Sequence, residues 1–126
     1  MWNGNRKEAG GAGEAEALKQ LQARGLKLVL RNHRCRMGEI DLVMLDGTTL
    51  TLIEVRYRAD DSFGGAAASV TARKQRRLIA AARHLLATRS DLRRYPARFD
   101  VVALSPDTAG KLQFDWIKGA FNADGS

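Results

Sequence analysis

Residues 38–57, GEIDLVMLDGTTLTLIEVRY, decide the fold of this chain. Two runs rich in Ile, Val and Leu flank the dipeptide at 46–47, Asp-Gly, which is typical of a tight turn between antiparallel strands. The sequence therefore predicts a β-hairpin with strands over 38–45 and 50–57.

The acidic residues of this hairpin follow the alternation of a strand. Side chains alternate between the two faces, so Glu39 and Asp41 share a face, as do Glu54 and Arg56. A two-residue loop would place Glu54 diagonally from Asp41. A four-residue loop over 46–49 would place it directly opposite, at about 5 Å between Cβ atoms. Either even-length loop gathers the four side chains on one surface, whereas a three-residue loop or a bulge separates them.

The even-length loops are favoured because they also collect the apolar residues of the hairpin on the opposite face. These residues are Ile40, Leu42, Met44, Ile53, Val55 and Tyr57.

Two carboxylates that face each other across a strand pair repel unless a positive charge neutralises them. Arg56 supplies part of that charge. A hard divalent cation such as Mg²⁺ supplies more, since it takes oxygen ligands, and it can activate water for attack on a phosphate. The alternative is a solvated strand face on which Glu and Arg pair without further consequence. Spacing alone leaves both interpretations open.

The rest of the chain predicts one mixed α/β domain over 13–121, between a flexible segment at 1–12 and a flexible tail at 122–126. A Gly/Ala-rich loop is expected at 59–68. The other predicted elements, in chain order, are a helix from Gly13 to Gly25, a strand at 26–32, a helix at 71–88, a strand at 98–104 and a short strand at 112–117.

Composition narrows the classes of function. The 126 residues suffice for one domain, and the 21 basic against 14 acidic residues give a net charge of +7. This excess indicates a polyanionic partner, nucleic acid before an anionic membrane surface. No run approaches the roughly 18 apolar residues of a membrane span. Because the N-terminus lacks the apolar core of a signal peptide, we expect a cytoplasmic protein.

The sequence contains few cysteine and histidine side chains that could bind zinc. One cysteine, Cys35, cannot form an internal disulfide, and His33 and His84 are the only histidines. The sequence therefore predicts no structural zinc site.

The positive charge is concentrated in and after the second predicted helix. We expect Arg73, Arg76, Arg77 and Arg83 to contact phosphates, although a solvated helix face is the alternative for any single one. The basic residues of this region are Arg73, Lys74, Arg76, Arg77, Arg83, Arg89, Arg93, Arg94 and Arg98. Lys74 precedes Leu78 by one turn, which favours an inward orientation.

Four short motifs stand out in the chain, namely Arg31-Asn32, GEIDL at 38–42, EVRYR at 54–58 and RFDVV at 98–102. Together they resemble the bacterial YraN family, which is placed in the PD-(D/E)xK nuclease superfamily and is similar to archaeal Holliday-junction resolvases. The resemblance extends from about Gly13 to Phe121. It implies a restriction-endonuclease-like mixed sheet flanked by helices, with an α-β-β-β-α-β core. It also implies cleavage of DNA, branched DNA included, with Mg²⁺ or Mn²⁺.

The resemblance assigns roles to individual residues. Asp41 matches the metal-binding aspartate, Glu54 the acid of the second half-motif, and Glu14 the glutamate on the first helix that completes the metal site. From the residues alone, Glu14 lies on the apolar face of its helix. An acid that merely favours the helix N-terminus is the alternative.

Arg56 stands where the superfamily usually has lysine. It stays protonated, so it cannot act as a general base, but it can assist at the attacked phosphate. The resemblance gives Glu39 and Lys74 supporting positions around the ligands, and Arg58 is expected to contact DNA. A homodimer follows by analogy only. A nucleic-acid-binding module without catalytic activity is the alternative function.

Overall fold

The computed structural model describes residues 2–57 and 70–123, with side chains from Gly13 onward. The elements are α1 (Trp2–Ala23), β1 (Lys27–Cys35), β2 (Gly38–Asp46), β3 (Thr49–Tyr57), α2 (Ala72–Thr88), a 3₁₀ turn (Ser90–Leu92), β4 (Ala97–Pro106) and β5 (Leu112–Phe121). Arg58, the predicted loop at 59–68 and the end of the tail at 124–126 lie outside the described residues.

The five strands form one mixed sheet in the order β1-β2-β3-β4-β5. Neighbouring strands are antiparallel except for β3 and β4, which are parallel. Parallel neighbours need a crossover connection, and α2 provides it. The predicted α/β class and its order of helix, three strands, helix and strands are confirmed.

Hydrophobic residues cover both faces of this sheet. On one face α1 contributes the fully buried Ala17 and Leu21 to a core shared with Leu42, Met44 and Ile53. On the other, α2 packs into a second cluster built on its own buried residues and on Val43, Leu50 and Leu52 of the hairpin. The acids of β2 and β3 therefore lie in a sheet that helices cover on both sides.

The hairpin adopts the register predicted for the four-residue loop. Leu45 lies opposite Leu50 and Asp46 opposite Thr49, so the chain reverses at residues 47–48. Gly47 has φ of 62°, a conformation that glycine adopts without strain. The ladder ends at the pair Leu42 and Ile53, and in the same register Asp41 and Glu54 follow directly beyond it.

The apolar residues of the hairpin do not share one face, and that prediction is wrong for Ile40, which packs in the cluster on the α2 side. The change of side coincides with Asn32 in the paired strand β1, which has a φ of 55°. Arg31 before it reaches Glu14 of α1, and His33 after it reaches His84 of α2. A regular strand would place residues 31 and 33 on the same side.

The change of side between residues 31 and 33 is matched in the neighbouring strand β2. Arg31 pairs with Leu42 and His33 with Ile40, so Leu42 and Ile40 also lie on opposite sides of the sheet. Tyr57, also predicted on the apolar face, is 42% exposed.

Most elements are longer than the sequence predicts, including β4, which runs from Ala97 to Pro106 instead of over 98–104. Helix α1 begins at Trp2, so the backbone at 2–12 is helical rather than irregular, although this glycine-rich stretch has no apolar periodicity. Strand β1 continues to Cys35 because its polar end pairs with β2, and β5 continues to Phe121 along β4. Such extensions depend on backbone pairing, which the hydrophobic pattern does not record. In the described part of the chain, no helix is long and apolar enough to cross a bilayer.

Candidate active-site cleft

A cleft with a volume of about 700 Å³ opens where β2 and β3 separate, against the first turns of α2. Acidic and basic side chains line it together. The acids are Glu39, Asp41 and Glu54, and the bases are Arg56, Arg73, Lys74 and Arg77. Of the predicted site residues with described side chains, Glu14, Arg76 and Arg83 are absent from this lining.

Asp41 is fixed in the gap between the two strands. The backbone N–H of Val55 donates a hydrogen bond to Asp41 Oδ2 at 2.8 Å. This bond replaces a ladder bond beyond the last regular pair, Leu42 and Ile53. The Asp41 carboxyl is therefore held by the backbone of β3, the strand that carries Glu54.

The two carboxyl groups cannot both ionise easily. Burial, followed by the charge of Glu54, raises the pKa of Asp41 to about 8, against the opposing effect of the Val55 N–H. The Glu54 side chain, as a hydrogen-bond partner of Asp41, adds to the increase. At neutral pH Asp41 therefore holds a proton until another positive charge replaces it.

Glu54 is only 4% exposed, and two basic side chains meet it. Lys74 Nζ lies 2.8 Å from Glu54 Oε2, and Arg56 Nη1 lies 3.6 Å from the same oxygen. The ammonium therefore comes from α2, while the strand itself supplies a guanidinium. Lys74 has the inward orientation that its spacing from Leu78 predicts.

Two local features hold α2 where Lys74 reaches Glu54. Thr71 caps the helix, its Oγ1 accepting a hydrogen bond from the Lys74 backbone N–H at 3.2 Å. Gly38, at the start of β2, touches the backbone of α2, and a Cβ there would lie 2.6 Å from the Arg77 carbonyl oxygen. Glycine alone permits this approach of strand to helix.

Glu14 does not join the other two acids. It is buried, at 8% exposure, and Arg31 Nε lies 3.3 Å from its Oε1. Its charge is the weakest of the causes that raise the pKa of Asp41. Among the described residues, no three His, Cys, Asp or Glu side chains form a metal-binding group. Glu14, a residue of α1, thus pairs with Arg31 and does not line the cleft that holds Asp41 and Glu54.

The donors that are assembled nevertheless suit a hard cation. Asp41 and Glu54 offer carboxylate oxygens, and a cation between them would replace the proton that Asp41 holds. Mg²⁺ is commonly bound by only one or two carboxylates, its other positions being taken by water and substrate phosphates. Two protein ligands therefore fit Mg²⁺ or Mn²⁺, with Glu14 outside the ligand set.

The remaining predicted residues divide by position. Glu39 lines the cleft and accepts a hydrogen bond from Arg34 Nε at 3.1 Å, near solvent. Arg73 and Arg77 line the cleft, whereas Arg76 and Arg83 are exposed on α2 outside it.

Sequence reasoning missed four lining residues, the polar Tyr57 and Thr71 and the apolar Val55 and Leu78. Tyr57 was placed with the apolar face, and its position directly after Arg56 at the end of the strand was the available signal. Thr71 was recognised as the start of a helix, where a threonine is a common cap.

Comparison with known proteins gives a family. The model of "Uncharacterised protein family UPF0102" matches residues 13–104. A UPF0102 protein of Cupriavidus taiwanensis is 52% identical over 122 residues, covering 95% of this chain and 87% of the relative. One from Pseudomonas putida is 49% identical over 113 residues, 90% of this chain and 91% of the relative. One from Alcanivorax borkumensis is 46% identical over 120 residues, 95% of this chain and 96% of the relative. On both the family match and these identities, the chain belongs to the UPF0102 family.

Proposed function

We propose that this protein is a metal-dependent endonuclease that hydrolyses phosphodiester bonds in DNA. The observation that carries the proposal is the carboxyl pair of Asp41 and Glu54 in a cleft that four basic side chains also line, namely Arg56, Arg73, Lys74 and Arg77. Basic side chains attract a polyanion, and two acids at the same place would repel it. Such a combination suits a site in which a cation binds the acids and the phosphate together.

Asp41 and Glu54 would hold the divalent cation, Mg²⁺ or Mn²⁺. When bound, the ion supplies a water of lowered pKa and stabilises negative charge on the phosphate. The raised pKa of Asp41 supports this assignment, because Asp41 ionises readily at neutral pH only when a positive charge is added beside it.

The basic residues have separate tasks. Arg73 and Arg77 dock phosphates beside the one that is cleaved. Arg56 stays protonated and presents its planar fork to the attacked phosphate. Lys74 Nζ lies 2.8 Å from Glu54 Oε2. It supplies the ammonium group that β3 lacks, because β3 carries Arg56 where the superfamily usually has lysine. It is placed to stabilise the charge that develops on the phosphate oxygens.

The substrate to test first is branched DNA. The resemblance to Holliday-junction resolvases favours it, and those enzymes act as dimers to cut two strands. A four-way junction, a matched linear duplex and a supercoiled plasmid, each with Mg²⁺ or Mn²⁺, cover branched, regular and strained substrates. Sedimentation of the protein alone and with the junction tests the homodimer.

Asp41→Asn and Glu54→Gln test the site while they preserve side-chain shape. We expect each to reduce the cleavage rate by about a hundredfold or more, since loss of a ligand should exceed the 10- to 100-fold effects of groups that only support one. Asp115→Asn makes the same chemical change on an exposed part of β5 and should leave the rate unchanged. Equal cleavage by wild type and both cleft variants would refute the assignment.

A DNA-binding module without cleavage is the second candidate. Two observations favour it. Arg56, in place of lysine, cannot act as a general base, and Glu14, the expected third metal ligand, is paired with Arg31. In that case the wild type does not cut, and Asp41→Asn binds the junction as well as the wild type does. Arg73→Gln combined with Arg77→Gln should then weaken binding and lower its salt dependence, by about 0.9 in slope per lost phosphate contact.

A further inference from the structure

The two histidines of the chain meet across two elements of the fold. His33 lies on β1 and His84 on α2, 51 positions apart. His33 Nε2 and His84 Nδ1 are 3.1 Å apart, and the ring centroids are 5.2 Å apart. Both residues are half-buried, and neither lines the cleft. The pair therefore has access to solvent and is separate from the carboxyl pair.

The spacing of the two ring nitrogens matches shared ligation of one ion. Imidazole nitrogens bind Zn²⁺ at about 2.0–2.1 Å. Two nitrogens 3.1 Å apart, each at that distance from the same ion, subtend an angle of about 95–100° at it. This value lies between the ideal octahedral and tetrahedral angles. The rings need only tilt so that both lone pairs point to a common position.

We propose that His33 and His84 bind a transition-metal cation of the Zn²⁺, Ni²⁺ and Cu²⁺ class and that this ion joins β1 to α2. Neutral imidazole is a preferred ligand of these metals, whereas Mg²⁺ prefers oxygen. Water fills the remaining coordination positions on the solvent side. This is an open site with two protein ligands, unlike the closed four-ligand zinc site that the sequence excludes.

The proton balance of the site is favourable. Burial and the neighbouring His84 lower the pKa of His33, so that protons compete weakly for it at neutral pH. Without metal, one ring N–H lies between the two nitrogens. On metal binding this proton moves to the other nitrogen of the same ring, and no net proton is released. The exposed Arg34 and Arg83, adjacent to the histidines in sequence, repel a cation and limit the affinity.

A bound ion would link the edge of the sheet to the helix that carries Lys74. Helix α2 also carries Arg77 of the cleft, so the ion would restrain the element on which both side chains depend. The histidine site does not depend on the proposed nuclease activity, since it uses neither Asp41 nor Glu54.

Binding of Ni²⁺ near pH 7.5 tests the site, with the melting temperature and a calorimetric Kd as readouts. We expect Ni²⁺ to raise the melting temperature of the wild type. His33→Gln and His84→Gln should each weaken the affinity at least about tenfold, because one of two protein ligands is lost. Cys35→Ser and Asp115→Asn are the controls and should bind Ni²⁺ at the histidine site as the wild type does.

The Cu²⁺ electron paramagnetic resonance spectrum of the wild type provides a test that needs no variant. We expect hyperfine splitting from two imidazole nitrogens. Unchanged Ni²⁺ affinity in both histidine variants would overturn the proposal. So would a Cu²⁺ spectrum with oxygen ligands only, or no response to a large molar excess of metal.

Discussion

Two acidic clusters lie in the same sheet and differ in how their charge is balanced. The cleft pair, Asp41 and Glu54, lies where β2 and β3 separate. The Arg98 cluster consists of Asp46, Arg98 and Asp100 with Trp116 and the backbone of Gly119. Its central acid, Asp100, is fully buried, yet it accepts hydrogen bonds from Arg98 Nε, Trp116 Nε1 and the Gly119 N–H at 2.9, 3.0 and 2.9 Å.

This difference in charge balance distinguishes the Arg98 cluster, which is structural, from the cleft pair, which is a candidate site. Burial alone would lower the pKa of Arg98, but its hydrogen bonds to Asp100 and Asp46 raise it, so the cluster is stabilised in its charged form. In the cleft pair, burial and the second acid raise the pKa of Asp41 to about 8. A buried acid with all its partners supports the fold, whereas one that still needs positive charge is available for a ligand.

The largest effect is expected when the balanced cluster is broken. Arg98→Met leaves Asp100 buried without its cation, and we expect a loss of about 3–5 kcal/mol in the free energy of unfolding, measured by urea denaturation. Arg89→Met removes the exposed pair with Asp91 and should change stability little. Equal effects of the two variants would show that the Arg98 cluster does not stabilise the fold.

A smaller effect, of opposite sign, is expected in the cleft pair. In the folded metal-free protein the pKa of Asp41 is raised from 3.8 to about 8. Between these values the folded state binds a proton that the unfolded state has lost, so the free energy of unfolding falls as the pH rises.

Asp41→Asn imitates the protonated acid and should remove this fall. We expect it to stabilise the metal-free protein at pH 8, on the order of a few kcal/mol, and to have little effect near pH 4. Urea denaturation at a series of pH values, in the presence of a chelator, measures both. Destabilisation at pH 8 would contradict the raised pKa. In the wild type, Mg²⁺ should reduce the pH dependence because it replaces the proton.

The smallest effect is expected from Glu14, whose charge is the weakest of the causes that raise the pKa of Asp41. Glu14→Gln removes a charge that raises the pKa of Asp41, so that pKa should fall by less than about one unit. Carboxyl-carbon NMR of Asp41 during a pH titration measures the shift. Arg31→Gln is the matched change and should move the pKa upward, since it frees the charge of Glu14. A downward shift in both variants would exclude this electrostatic link.

Much of the site was predictable because it lies within one hairpin. The alternation of side chains and the Asp46-Gly47 turn were sufficient to bring Asp41 and Glu54 together, and the structure adopts one of the two registers considered. The spacing of Lys74 from Leu78 predicted its inward orientation. By contrast, nothing in the pattern predicted the positive φ of Asn32, which is set by contacts of its neighbours with two different helices.

The sequence by itself determined the local elements, the class of fold and the residues of the carboxyl pair. These follow from the periodicity of side chains along the backbone and from turn chemistry, both of which act between near neighbours. The tertiary structure alone decided that Glu14 is held by Arg31, that Arg98 reaches Asp46 across 52 positions, and that the two histidines meet. Those contacts join elements whose relative placement depends on the packing of both helices against the sheet, which no local pattern encodes.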